Sequence, residues 1–208
     1  LATVLITNLE EKHILVYSDD TAVQQLMSDI GWDGSVVDVA GDFVMVVDAN
    51  LAAKKTDRVM TKVMDYQISQ EGDDYIANLT LRYANDGVFD DFTTRYRSYM
   101  RVYVPTGSEL LDSSGFLTTD RYLGGEPTTA TTSQAPDVNK TVFEGFISVE
   151  PKTEDTITLR YRLPQTVADQ IEAGQYTLYW EKQAGTDNVT ASMWFDVGQK
   201  VRQAGTLD

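Results

Sequence analysis

The stretch Phe43–Arg58, FVMVVDANLAAKKTDR, is where the chain changes character. It opens on an unbroken apolar run, Phe43 to Val47, the pattern of a strand buried on both faces. It then turns polar through Asp48, Asn50, Lys54, Lys55, Thr56 and Asp57. Before it the chain reads as strand and helix; after it, almost wholly as strands. The stretch is therefore read as a join. A small α/β segment occupies residues 1–57, and a mainly β unit runs from residue 58 to 208.

Upstream of the join, Leu1 to Glu11 fits either a helix or a short strand, and His13–Tyr17 (HILVY) reads as a short apolar strand. Ser18, Asp19, Asp20 and Thr21 then supply a cluster of good helix N-caps. Val23, Leu26, Met27 and Ile30 fall at i, i+3, i+4 and i+7, one face of an amphipathic helix, and Gly31 stands where a C-terminal glycine would. A segment this short cannot build a good core alone. It is expected to pack on the later unit or on an upstream domain of the same parent protein.

Downstream, the hydrophobic period changes to two. Tyr75, Ala77, Leu79, Leu81 and Tyr83 share one face, with Asn78, Thr80 and Arg82 on the other. Met100, Val102 and Val104 alternate with Tyr99, Arg101 and Tyr103. The same holds for Ile157 to Leu163, for Tyr176, Leu178 and Trp180, and for Val189 to Val197. Tyr66–Gln70 and Val142–Val149 complete about seven strands, separated by turn sequences such as Glu71-Gly72-Asp73-Asp74 and Asn85-Asp86-Gly87. Half-polar alternation argues for antiparallel sheets. The expected fold is mainly β: an immunoglobulin-like antiparallel β-sandwich preceded by the small α/β segment.

One connection, residues 106–140, is long. Its second half, GGEPTTATTSQAPD, is rich in Thr, Gly and Pro and has little to bury, so a loop with a disordered Thr-rich end is expected. The connection PQTVADQIEAG, Pro164 to Gly174, has room for one or two helical turns with Val167 and Ile171 inward.

Composition narrows the function classes. The 208 residues carry a formal charge of −15, which opposes phosphate backbones and anionic membrane surfaces, so no nucleic-acid partner is expected. There is no cysteine and a single histidine, His13, which excludes disulfides, thiolate metal sites and a Cys nucleophile. No apolar run approaches the ~20 residues a membrane helix needs. Any membrane association is expected through an N-terminal anchor lying outside this sequence.

A series of blocks points further. HILVYSDDTAVQQLMSDIGWDG, DFVMVVDANLAAKKTD, YRSYMRVYVPTGSELLDSSG, KTVFEGFISVEPKTEDTITLRYRLP and YTLYWEKQAGT occur in this order. Together, over His13 to Thr186, they resemble the C-terminal part of the DUF4012 family of bacterial envelope proteins. The resemblance implies a larger parent with an N-terminal membrane anchor and an upstream domain. It implies an extracytoplasmic setting in the cell envelope or at the cell surface, and no established activity. The family tends to have a Gly-Gly pair where this chain has Ala52-Ala53, which puts a glycine-dependent turn there in question.

The candidate site residues are few. Asp48, Asn50 and Lys54, after the apolar run, combine oxygens suited to a cation or sugar hydroxyl with a cation suited to an anion. Asp and Asn after a strand equally serve to satisfy turn backbone groups. Tyr99, Arg101, Tyr103 and Trp194, with Tyr96 and Tyr179, are expected on outward faces, where aromatics beside arginines stack on sugars or form interfaces. Asp86, Asp90 and Asp91, in NDGVFDD, offer oxygens for Ca²⁺ without matching an EF-hand spacing. No catalytic residue is nominated and no cofactor is expected beyond possible Ca²⁺, because no phosphate loop, nucleophile elbow or zinc-protease motif occurs. The expected function is a non-catalytic extracytoplasmic module that supports an upstream domain or binds a protein or glycan partner. The alternatives are part of an enzyme acting on cell-wall polymers, or a Ca²⁺-stabilised adhesive domain.

Overall fold

A computed structural model describes residues 2–186 and 189–197, and the backbone of Thr206–Leu207. The chain opens with two helices, α1 (Ala2–Glu10) and α2 (Thr21–Asp29). The strands follow: β1 (Asp42–Asn50), β2 (Met60–Glu71), β3 (Asp74–Asn85), β4 (Tyr96–Pro105), β5 (Glu109–Ser114), β6 (Phe116–Leu117), β7 (Pro127–Thr128), β8 (Thr131–Ala135), β9 (Lys140–Val149) and β10 (Glu154–Arg162). A third helix, α3 (Gln165–Glu172), leads to β11 (Leu178–Glu181), β12 (Thr190–Asp196) and β13 (Thr206–Leu207). The protein is mainly β.

The strands form two sheets. One has the order β11-β1-β4-β9-β6-β7, with β8 also paired to β9; the other has the order β13-β12-β2-β3-β10-β5. Their inner faces close on one continuous core. Val44, Met100, Val102, Phe143 and Ile147 from the first sheet meet Tyr66, Ile68, Leu79, Leu81, Leu159 and Tyr161 from the second. The period-two alternation places these side chains inward, and each inward residue of β3 from Tyr75 to Tyr83 is buried. Such burial, at roughly 25 cal/mol per Å² of apolar surface, is the main force holding the sheets together.

Two features of the strand pairing depart from expectation. The sheets are mixed: β11 runs parallel to β1, and β12 runs parallel to β2. Both late strands join the sheets at one side, after α3 has turned the chain round; Val167, Ala168 and Ile171 of α3 are buried, as its apolar spacing requires. Side-chain alternation reports burial, and it is the same for either strand direction.

The boundary expected at residue 57 does not divide the fold. β1 lies inside the first sheet, between β11 and β4, with Phe43 and Val44 buried on its two faces. Residues 2–40 contribute no strand to either sheet and are tied to them by side chains, Lys12 pairing with Glu181 and Asn139 donating to Asp38 at 3.3 Å. His13–Tyr17 is not a strand; among the described residues its backbone reaches a distant segment through the bond from Val16 to the Trp32 carbonyl, 2.9 Å. The helix over Thr21–Asp29 forms as expected: the Asp20 carboxylate accepts from the amides of Ala22 and Val23 at 2.9 and 3.1 Å. Gly31, at φ +73°, ends it.

Residues 106–140 are also not a structureless loop. They contain β5 to β8, and the Thr-rich end is ordered as β8 against β9. Branched threonines suit an exposed edge strand, and the buried methyl of Ala130 pins the turn before it. The switch of sheet occurs at Gly115, between β5 of one sheet and β6 of the other.

Candidate functional site

The polar cluster after the apolar run lies at one end of the molecule, and the structure divides it. Asp48 points inward and is buried. Its Oδ2 receives Lys62 Nζ at 2.6 Å and the Tyr83 hydroxyl at 2.9 Å, and its Oδ1 the Ser98 hydroxyl at 3.2 Å. Lys62 in turn lies between the rings of Tyr83 and Tyr96, 5.2 and 5.4 Å from their centroids. A charge pair is tolerated here because both partners are multiply satisfied. The carboxylate and the low dielectric raise the Tyr83 and Tyr96 hydroxyls well above the ordinary phenol range, burial being the larger cause.

Asn50 and Lys54 do local work. The Asn50 carbonyl accepts the Ala52 amide at 2.9 Å, and its NH₂ donates to Asp57 at 2.5 Å and to the Lys54 carbonyl at 3.2 Å. Lys54 Nζ donates to the Asp90 carbonyl. Ala53 sits at φ +55°, the left-handed region, at the position where the family resemblance suggested glycine.

Beside Asp48 the sandwich is open. Between β1 and β11 of one sheet and β2 and β12 of the other lies a cleft of about 730 Å³. Its floor is apolar, with Val46, Met60, Met64, Leu81, Trp180 and Ala191. Its mouth is polar, with Asp57, Arg58, Lys182 and Gln183. The Gln183 amide stands in for a strand partner, accepting the Asp48 backbone N–H at 2.9 Å and donating to its carbonyl at 3.1 Å. Sequence reading nominated Asp48 and Asn50 but missed the cleft, which needs the parallel placement of β11 and β12.

At the same end three loops are tied together. Lys55 N donates to the Phe92 carbonyl at 2.9 Å. Arg97 pairs with Asp120 at 2.6 Å, donates to the Leu51 carbonyl at 3.2 Å and lies 5.3 Å from the Tyr122 ring centroid. Below them the buried Asn85 amide donates to the carbonyls of Thr94 and Val149, each at 3.1 Å. This bracing holds Phe89 and Phe92, each 67% exposed, and Tyr122, 79% exposed, at the surface.

Asp86, Asp90 and Asp91 do not form a common site. Asp90 is exposed and serves its own loop, accepting the amides of Phe92 and Thr93 at 2.8 and 2.6 Å; these bonds, that from Thr93 first, hold its carboxyl below the usual range. Among the described residues no three His, Cys, Asp or Glu side chains are grouped to hold a metal ion.

The aromatics nominated for one surface lie on several. Tyr99 and Arg101 are on the outer face of the first sheet: Tyr99 meets Phe146 edge-on at 4.8 Å, and Arg101 bonds Glu144 at 3.1 Å. Tyr103 follows on the same face of β4. Trp194 lies on the outer face of the opposite sheet, since Ala191, Met193 and Phe195 face the core. Tyr96 is fully buried, one register step inward of Tyr99 by the alternation that the strand obeys. Tyr179 stacks on Phe43 at 6.0 Å.

A second carboxylate, not nominated from the sequence, is buried at the start of β1. Asp42 accepts the hydroxyls of Tyr66 and Tyr176 at 2.6 and 2.7 Å and its neighbour Phe43 N at 2.8 Å. Desolvation outweighs these bonds and pushes its carboxyl up to about 6.

Finally, α1, α2 and the segment between them leave apolar side chains in solvent. Val4, Leu5, Ile6, Leu15, Val23 and Leu26 are all exposed, and α2 has no buried residue. No helix among the described residues is long and apolar enough to cross a membrane.

No family model matches this chain, and no curated protein matches it. Among solved structures, a candidate nutrient binding protein from Legionella pneumophila aligns with 74% of this chain and 54% of its own, at 7% identity and a TM-score of 0.36. The chain thus spans about half the length of that structure.

Proposed function

We propose that this chain is a non-catalytic binding module of a bacterial envelope protein, built as an immunoglobulin-like sandwich and working outside the cytoplasm. Its task is to dock an upstream domain of the same parent. The observation that carries this is the uncovered apolar face of the N-terminal helices. Val23 and Leu26 lie on the helix face that an amphipathic helix normally buries, yet they are exposed. Exposed apolar side chains grouped on one helix face mark an interaction site. The setting outside the cytoplasm and the upstream domain come from the family resemblance, which the apolar face complements by offering a place for that domain.

The test uses the upstream part of the parent protein, produced separately. Calorimetry should give one-to-one binding to this chain. The triple variant Leu5→Gln, Ile6→Gln, Leu26→Gln should lose it while keeping its melting temperature, because all three side chains are exposed. No heat of binding with the unaltered chain would remove the reading.

The braced loop end favours a second contact, with a glycan or another envelope protein. Phe89, Phe92 and Tyr122 are exposed aromatics on immobilised loops, so little ordering entropy opposes their docking. On a glycan array, signals that vanish in the Phe89→Ser, Phe92→Ser variant would support this role; signals that persist would locate glycan binding elsewhere.

A further inference from the structure

We propose that the cleft between the open sheet edges binds a small amphipathic anion, its apolar body between the sheets and its acidic head at Arg58 and Lys182. Three observations lead there. The first is size: about 730 Å³ lies within the range of pockets that enclose small organic ligands. The second is the division of the lining. Val46, Met60 and Trp180 pack against the core on one side and are only half-buried on the other, which faces the cleft. Apolar side chains left part-wet inside a fold gain when an apolar body displaces the water.

The third is charge. The chain as a whole carries −15. Around the cleft the balance reverses. Asp48 is neutralised by Lys62 at 2.6 Å, and Asp57 accepts from Asn50 at 2.5 Å. Among the described residues no carboxylate lies within ion-pair distance of Arg58 or Lys182; Lys182 Nζ is held by the Thr186 carbonyl at 2.6 Å. Of the charged lining residues, Asp48, Asp57 and Glu181 balance Lys62, Arg58 and Lys182; Lys12, outside the lining, pairs with Glu181, so counting it leaves the cleft positive by one charge in a strongly acidic molecule. A cationic head would meet two like charges there, whereas an anion meets two donors, and Arg58 can take a carboxylate in a two-point bond.

Decanoate, decyltrimethylammonium and decanol, each as monomers, separate the head from the body in calorimetric titrations. Decanoate is expected to bind one-to-one, tighter than decanol, and decyltrimethylammonium weakest. Arg58→Glu, at an exposed position, should weaken decanoate by about tenfold or more and leave the melting temperature of the free protein unchanged. Met60→Trp, which fills the cleft, should abolish binding of both decanoate and decanol. Equal binding of the cationic and anionic amphiphiles would overturn the proposal. So would decanoate binding that survives Met60→Trp, since the ligand would then sit on the exposed helices. Pelleting with phosphatidylglycerol vesicles that Arg58→Glu abolishes would assign the head site to a bilayer and overturn the small-molecule reading. None of these outcomes depends on whether the N-terminal helices dock an upstream domain.

Discussion

Ala53 holds φ at +55°, a conformation that costs a residue with a Cβ about 1 kcal/mol relative to glycine. Its neighbour Ala52 has no such φ. Substituting each by glycine should therefore give opposite signs. Ala52→Gly should lose roughly 0.5 kcal/mol through unfolded-chain entropy, and Ala53→Gly should gain about 0.5 kcal/mol, the relieved strain less that entropy. Urea unfolding of the two variants decides it; equal losses would show that the turn carries no strain. Asp42 gives a second prediction at this scale. Its folded-state carboxyl titrates near 6, above the ordinary 3.8, because burial disfavours the charge. Its contribution to stability is therefore complete below about pH 4 and is lost as pH rises through about 6, a change on the order of 3 kcal/mol. Asp42→Asn cannot ionise, so its stability should fall less between pH 4 and pH 7 than that of the unaltered chain. Parallel pH curves for the two proteins would contradict the assignment. Asp48 was legible as a polar residue after an apolar run, but it was read as serving turn backbone groups, whereas its carboxylate is held by Lys62, Tyr83 and Ser98 from other strands. The role of Asp42 was not legible, because its partners Tyr66 and Tyr176 come from strand positions that periodicity assigns simply to the core.

Among the elements, the alternating strands were the legible part. Tyr75 to Tyr83, Ile157 to Leu163 and Val189 to Val197 each present the face that the pattern predicted. Strand direction was not legible, and neither was β8, whose threonines read as disorder when considered without β9. The hinge at Gly115 was equally hidden. There the chain leaves β10 of one sheet for β9 of the other, at φ +87°, and a Cβ would lie 2.7 Å from the Thr156 carbonyl oxygen. Both the conformation and the contact exclude a larger side chain. Gly115→Ala should cost about 2 kcal/mol or more. Gly72, at φ +64° in the β2–β3 turn with open space around it, supplies the control: Gly72→Ala meets the conformational cost without the clash and should lose less. Equal losses at the two sites would mean that the crossover tolerates a methyl group by shifting β10.

For the whole molecule, the sequence located a change of character at Phe43–Arg58 but not its meaning. No break falls there, because the pairing of β1 with β4 and β11 makes the apolar run the spine of a sheet. That placement brings Asp48 across from Lys62 and makes the pair a clamp between the sheets. The clamp should behave as a unit. Lys62→Met removes the cation and leaves a buried carboxylate with hydroxyl partners only, which should destabilise the protein by about 3 kcal/mol. Adding Asp48→Asn removes the stranded charge while keeping an acceptor for Tyr83 and Ser98, so the double variant should regain at least about 1 kcal/mol over Lys62→Met alone. Urea titrations with unchanged m-values would show that the native fold persists throughout the cycle. If the two substitutions instead add, the sheets are held at this edge by apolar contact alone and the ion pair is a passenger.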